Sequence, residues 1–158
     1  MDHLSKSDRS ALMSRIRSRD TIPELVVRSV LHALDYRFRV CAQDLPGRPD
    51  VVFRGMRKAI FIHGCFWHGH SCRMGLAQPR SNVDYWSGKL LQNVRRDAAV
   101  RTELIARGWE VLEVWECQVK TGEWLERAIE FLESDSKSNT LGCSGLRIRK
   151  GIKIGGNQ

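Results

Sequence analysis

The chain has 158 residues, of which 26 are Lys or Arg and 18 are Asp or Glu, giving a formal charge of +8. With 42% hydrophobic and 28% charged residues its composition is that of an ordinary globular domain, which excludes wholesale disorder, a collagen-like chain and a repeat array. No apolar run approaches the roughly 18 residues of a membrane span, and the first residues lack an apolar signal core, so a soluble cytoplasmic protein with a polyanionic partner is expected.

Residues 1–20 read as a basic N-terminal arm, with Leu12, Met13 and Ile16 at helical spacing, of the kind that folds on its partner. Thr21-Ile-Pro-Glu24 has the form of a capping box, with Thr21 as N-cap, Glu24 three residues on, and Pro23 tolerated in the first turn. Behind it Val26, Val27, Val30, Leu31 and Leu34 form a helical apolar stripe to about residue 35. Tyr36 to Val40 alternates apolar and basic as a half-exposed strand does. After a loop containing Pro46-Gly47-Arg48-Pro49, the runs Asp50–Phe53 and Lys58–Ile62 predict a hairpin turning through Arg54–Arg57. Residues 63–82 carry His, Cys, Gly and aromatics without a period, which predicts an ordered functional loop. A long helix is expected from about Tyr85 to Arg107, through Trp86, Leu90, Val94, Leu104 and Ile105, with Gly108 as its stop. Trp109–Trp115 reads as a strand and 121–133 as a last helix through Trp124, Leu125, Ala128, Ile129 and Leu132. This order predicts one α/β domain over 21–133, with a sheet of mixed strand direction, and a disordered basic tail over 134–158.

Five cysteines without a secretion signal argue against a disulfide framework and leave metal ligation or free thiols. The densest signal is His63-Gly-Cys65-Phe-Trp-His68-Gly-His70-Ser-Cys72. A structural zinc takes four thiolate or imidazole ligands; Cys65, His70 and Cys72 supply three from one loop, and Cys117, at a strand end, is the best-placed fourth. Pro49-Asp50 opens a strand where metal-dependent nucleases carry an Mg²⁺-binding acid, although a bare Pro-Asp is more often a turn. No Glu-x-Lys follows, so in a nuclease His63 or His68 must stand in the lysine's place. Asp97 falls on the apolar arc of its helix, where it pairs either with a histidine or with Arg101 on the same face; periodicity slightly favours Arg101. Phe66 and Trp67 lie between the candidate ligands and Trp86 opens the long helix, positions compatible with core packing or with stacking on bases.

Taken together, Asp20-Thr21-x-x-Glu24, Leu45-Pro-Gly-Arg-Pro-Asp50, the His63–Cys72 run, Trp86, Asn93-Val-x-Arg-Asp97 and Gly108-Trp through Trp115-Glu-Cys117 resemble the very-short-patch-repair (Vsr) DNA mismatch endonucleases of bacteria over residues 5–133. The resemblance implies a restriction-endonuclease-like mixed β-sheet flanked by helices, a structural Zn²⁺, and Mg²⁺-dependent nicking of double-stranded DNA 5′ of the thymine in a T:G mismatch left by 5-methylcytosine deamination. It implies that Asp50, with the main chain of Ile62, binds Mg²⁺, that His68 paired with Asp97 is the general base, and that His63 and Glu24 share that active site. It further implies a zinc set of Cys65, His70, Cys72 and Cys117, an aromatic wedge of Phe66, Trp67 and Trp86, and Met13 entering from the other groove. Gly69 and Ser71 depart from the pattern, replacing residues that are often histidine. A zinc-stabilised DNA-binding module is the competing reading, set apart because a passive binder has no reason to assemble Asp50, His68 and Asp97.

Overall fold

A computed structural model describes residues 19–77 and 82–134; residues 1–18 of the basic arm, Met13 among them, and the tail after Ser134 lie outside the described residues. A four-stranded sheet in the order β1-β2-β3-β4 is built from β1 (Arg39–Val40), β2 (Val51–Phe53), β3 (Lys58–His63) and β4 (Glu110–Trp115). Helix α1 (Ile22–Ala33) precedes the sheet, α2 (Val83–Ala106) crosses from β3 to β4, and α3 (Glu116–Thr121) and α4 (Trp124–Glu133) follow. β2 and β3 form an antiparallel hairpin through a 3₁₀ turn at Arg54–Met56, closed by Arg57 in the left-handed region (φ 52°). The long α2 connection makes β4 parallel to β3, so the sheet is mixed as expected.

Every residue of β2 and β3 is buried, which is why both read as unbroken apolar runs rather than as alternation. Successive side chains still point to opposite faces. Val51, Phe53, Ile60 and Ile62 pack under α1 and α4 against Leu31 and Trp124, while Val52 and Phe61 pack with Leu104 of α2. Fully buried Leu31 and Leu104 each contribute about 1.5–3 kcal/mol of transfer free energy. Among the described residues no helix is long and apolar enough to cross a membrane.

Three sequence expectations are corrected. Only Arg39 and Val40 of the run Tyr36–Val40 pair as a strand, because Tyr36 and Phe38 lay their rings edge-on against Phe53, with centroids 6.0 and 5.8 Å away. The helix expected over 121–133 is α4, but a short helix that was not expected precedes it: α3 starts directly at the end of β4, and Gly122 separates the two at φ 84°, a left-handed conformation that suits glycine. Thr21 is the N-cap of α1 but makes no capping bond to the backbone; its hydroxyl donates instead to Glu24 Oε1 (2.8 Å).

Lys58, the first residue of β3, is only 1% exposed. Its ammonium donates to the carbonyls of Phe131 (2.6 Å) and Ser134 (2.5 Å) and to the Ser134 hydroxyl (3.1 Å). A cation thus satisfies the orphan carbonyls at the end of α4 and meets the negative end of its dipole, locking that helix to the sheet. Lys58→Met keeps the apolar stem but leaves those carbonyls buried and unpaired. It is expected to lower stability by about 2–4 kcal/mol, read as a lower urea midpoint at unchanged slope; an unchanged midpoint would show that the ammonium adds nothing.

Candidate active site and metal centre

The parallel register runs from Lys58↔Glu110 to His63↔Trp115, so β3 and β4 finish side by side. The segments leaving those ends bring two clusters together. In the first, one ligand atom each from Cys65, His70, Cys72 and Cys117 lie within 4.8 Å of one another. The Cys117 N–H donates to Cys65 Sγ (3.4 Å), Cys117 Sγ lies 3.5 Å from His70 Nδ1, and the His70 ring stacks on Trp115 at 4.3 Å. Burial pushes the Cys65 thiol up to about 12, whereas the Gly75 N–H draws the Cys72 thiol down to about 6. Three thiols and an imidazole are a soft donor set of the right number for a closed tetrahedral site, so the residues fit a divalent ion such as zinc.

The loop carrying these donors turns back on itself at Gly75, where a Cβ would sit 1.9 Å from the His70 carbonyl oxygen. Gly75→Ala must therefore move the His70–Cys72 backbone. It is expected to reduce retained metal and thermal stability together, while Gly55→Ala, whose Cβ meets nothing within 4 Å, leaves both unchanged. Metal content per chain and Tm check this; full metal retention in Gly75→Ala would contradict it.

The second cluster lines a cleft of about 1410 Å³ that Glu24, Asp50, His63, His68, Asp97 and Trp86 share. Asp50 follows buried Pro49 at the mouth of β2, and its Oδ2 accepts the Ile62 N–H across the hairpin (2.8 Å). Burial, helped by nearby Glu24, raises its carboxyl to about 6 against the opposing pull of that N–H and Arg28. Such an acid gains from a cation. His63 is buried at the end of β3, with its ring 4.2 Å from that of His68 and 5.2 Å from Trp115; burial and then His68 push it down to about 4, so it is neutral at physiological pH.

Asp97 does lie inward on α2, and its partner is the histidine. His68 Nδ1 and Asp97 Oδ2 are 2.5 Å apart, while Asp97 Oδ1 accepts from Arg96 (3.1 Å). Arg101, the partner that periodicity favoured, makes no bond to it, because His68 reaches in from a loop 29 residues away. Burial works against the Asp97 charge, yet the hydrogen bond and charge of His68 hold its carboxyl below the ordinary range. Phe66, Trp67 and Trp86 form a half-exposed cluster with centroids 5.0–6.2 Å apart, and Asn93 donates to the Trp67 carbonyl (3.0 Å).

Glu24 is 4% exposed and held from three sides: by the Thr21 hydroxyl, by the Asp20 N–H (2.9 Å) and by Arg28 (2.9 Å). Arg28, which also grips Asp20 at 2.6 Å, is a site residue that sequence reasoning missed; its signal was the i,i+4 spacing from Glu24. Arg96 was missed likewise, and only its place beside Asp97 could have marked it.

The family model described as DNA mismatch endonuclease Vsr matches residues 1–74. The DNA mismatch endonuclease Vsr of Escherichia coli is 37% identical over 149 residues, covering 90% of this chain and 95% of the relative. The chain belongs to the Vsr DNA mismatch endonuclease family. A type II nicking enzyme of Xanthomonas oryzae is 50% identical over 118 residues (75% of this chain, 86% of the relative), and one of Neisseria meningitidis is 42% identical over 119 residues (75% and 84%). Family membership makes the chain an endonuclease that hydrolyses phosphodiester bonds in DNA, which removes the passive-binder reading. Both clusters, at one sheet edge of a Vsr-family domain, thus belong to a nuclease.

Proposed function

We propose that this protein is a Mg²⁺-dependent, strand-specific endonuclease that nicks duplex DNA 5′ of the thymine in T:G mismatches and so initiates very short patch repair in the bacterial cytoplasm, associated with the nucleoid when bound. The observation that carries the reading is the 2.5 Å His68–Asp97 pair sharing one cleft with Asp50, since a carboxylate that holds one ring nitrogen leaves the other basic and able to deprotonate a water. His68 takes the proton from the attacking water, and Asp97 fixes the tautomer and orientation of its ring. Neutral His63 and the clamped Glu24 orient water and scissile phosphate in the same cleft. Asp50 and the main-chain oxygen of Ile62 would hold Mg²⁺, which when bound would supply positive charge to the scissile phosphate and the leaving oxygen. Asp50 fits this: its carboxylate lines the cleft with Oδ2 held by the Ile62 N–H, and burial raises it to about 6, a cost that a hard cation would offset.

Zinc held by Cys65, His70, Cys72 and Cys117 is structural, because four protein ligands leave no position for a reacting water. Phe66, Trp67 and Trp86 enter the duplex beside the mismatch, with Met13 approaching from the other groove. A mispaired step is cheaper to unstack than a matched one, and that difference supplies part of the selectivity. The side chains of Arg48, Lys89 and Arg101 line the cleft without a hydrogen bond or ion pair to any described residue, which leaves their charges available to phosphates. The basic arm 1–20 adds salt-dependent affinity, and the mixed four-stranded sheet flanked by helices supports a restriction-endonuclease-like fold.

End-labelled duplexes carrying T:G, T:A or C:G at one position, in varied flanking sequence and with Mg²⁺, test it. Expected is one nick, on the thymine strand, on its 5′ side, in the T:G duplex only. Asp50→Asn is expected to slow single-turnover nicking at least about 100-fold while the mismatched duplex stays bound. Equal cutting of T:A duplexes, or an active Asp50→Asn protein, would contradict the proposal.

A further inference from the structure

We propose that His63, His68 and Asp97 form a second metal site, selective for imidazole-preferring transition ions such as Zn²⁺, Ni²⁺ or Co²⁺, which shuts the nuclease down when filled. The inhibitory half rests on the reading of His68 as general base; the binding half stands on geometry alone. One donor atom from each residue lies within 4.8 Å of the other two, and the two imidazole rings are 4.2 Å apart. Donors on an ion with bonds of about 2.0–2.1 Å stand roughly 3.3 Å apart, so modest side-chain rotations close the set. The three residues come from β3, the loop and α2, and all line the cleft, which leaves the remaining coordination positions to water. Three protein ligands with an open position is the pattern of an accessible metal site, unlike the closed quartet beyond Trp115.

The two sites sort ions by softness. Mg²⁺ prefers oxygen donors and stays with Asp50, whereas late transition ions prefer imidazole. An entering ion must displace the His68–Asp97 hydrogen bond and share Asp97 with Arg96. The site is therefore weaker than the thiolate quartet, and the two are separable in a titration. Its effect follows from electron bookkeeping: an ion on His68 Nδ1 takes the ring's one pyridine-type lone pair and leaves the N–H on Nε2, so the nitrogen that would accept the water's proton is already protonated.

The test uses the full chain loaded with one zinc per molecule and titrated with Co²⁺, followed by calorimetry and visible absorption. Expected is one further equivalent whose spectrum lacks the thiolate charge-transfer band, with His68→Gln and His63→Gln each weakening it at least about tenfold. Half-exposed His68 keeps the test independent of whether the more deeply buried His63 tolerates substitution. In Mg²⁺, nicking should fall with the same midpoint and return when a chelator removes Co²⁺. No further equivalent at millimolar Co²⁺, or affinity unchanged in both variants, would overturn the site. Binding lost in the variants but without any effect on nicking would leave the site standing and overturn the assignment of His68 as base.

Discussion

Parallel pairing of β3 with β4 is the constraint on which the rest of the structure depends. A parallel neighbour ends where its partner ends, so the register that sets His63 beside Trp115 also delivers the two segments that follow to one place. From β3 come Cys65, His68, His70 and Cys72; from β4 comes Cys117, in the first turn of α3. The α2 crossover that parallel pairing requires then lies across the same edge and brings Asp97 to His68 and Asn93 to the Trp67 carbonyl. An antiparallel β4 would have sent Cys117 to the opposite end of the sheet. Trp115 sits between the clusters, stacked on His70 and within ring contact of His63, so the Cys/His cluster and the cleft share a wall.

Charge is handled one group at a time. Lys58 lies inside the protein because four acceptors at the end of α4 meet its ammonium. Glu24 is buried because Arg28, Thr21 and the Asp20 N–H surround it. Asp97 keeps its charge through His68 and Arg96. Asp50 is the exception: burial and Glu24 raise it to about 6, against backbone N–H bonds from Ile62 and from Asp50 itself and the Arg28 charge. A buried acid left short of partners is an expected feature of a cation-binding position in a nuclease, since the energetic deficit in the free protein is removed on binding.

Local patterns carried most of the fold. The helices α1 and α2, the hairpin and the aperiodic loop after His63 all stand where periodicity put them, although the stripes are buried only in part: Val27 and Leu31 of α1 and Leu104 of α2 are buried, while Val26, Leu34, Val94 and Ile105 are exposed. Gathering Cys117 with the loop donors was also legible, since strand ends were expected to share an edge. What failed depended on tertiary neighbours. Periodicity fixed the face of Asp97 but not what lies opposite, so Arg101, four residues on, looked the better partner than a histidine 29 residues away. The Thr21-x-x-Glu24 spacing had a local meaning, but here the carboxylate turns to Arg28 and the Thr21 hydroxyl follows it. Tyr36 and Phe38 alternate like a strand but serve Phe53 with their rings, and α3 is too short to show a stripe.

The central claim is the proposal that His68 and Asp97 act as one unit in the chemical step, apart from the Cys/His cluster in the same loop. Single-turnover nicking rates of His68→Ala, Asp97→Ala and the double variant, at saturating protein and Mg²⁺ on a T:G duplex, test it most directly. The account predicts that His68→Ala costs about 10²–10⁴-fold, that Asp97→Ala is impaired in the same step, and that the double variant is little worse than His68→Ala alone, as for groups that work together. Fully multiplicative losses would contradict it, and would mean that Asp97 supports the fold through Arg96 rather than the base.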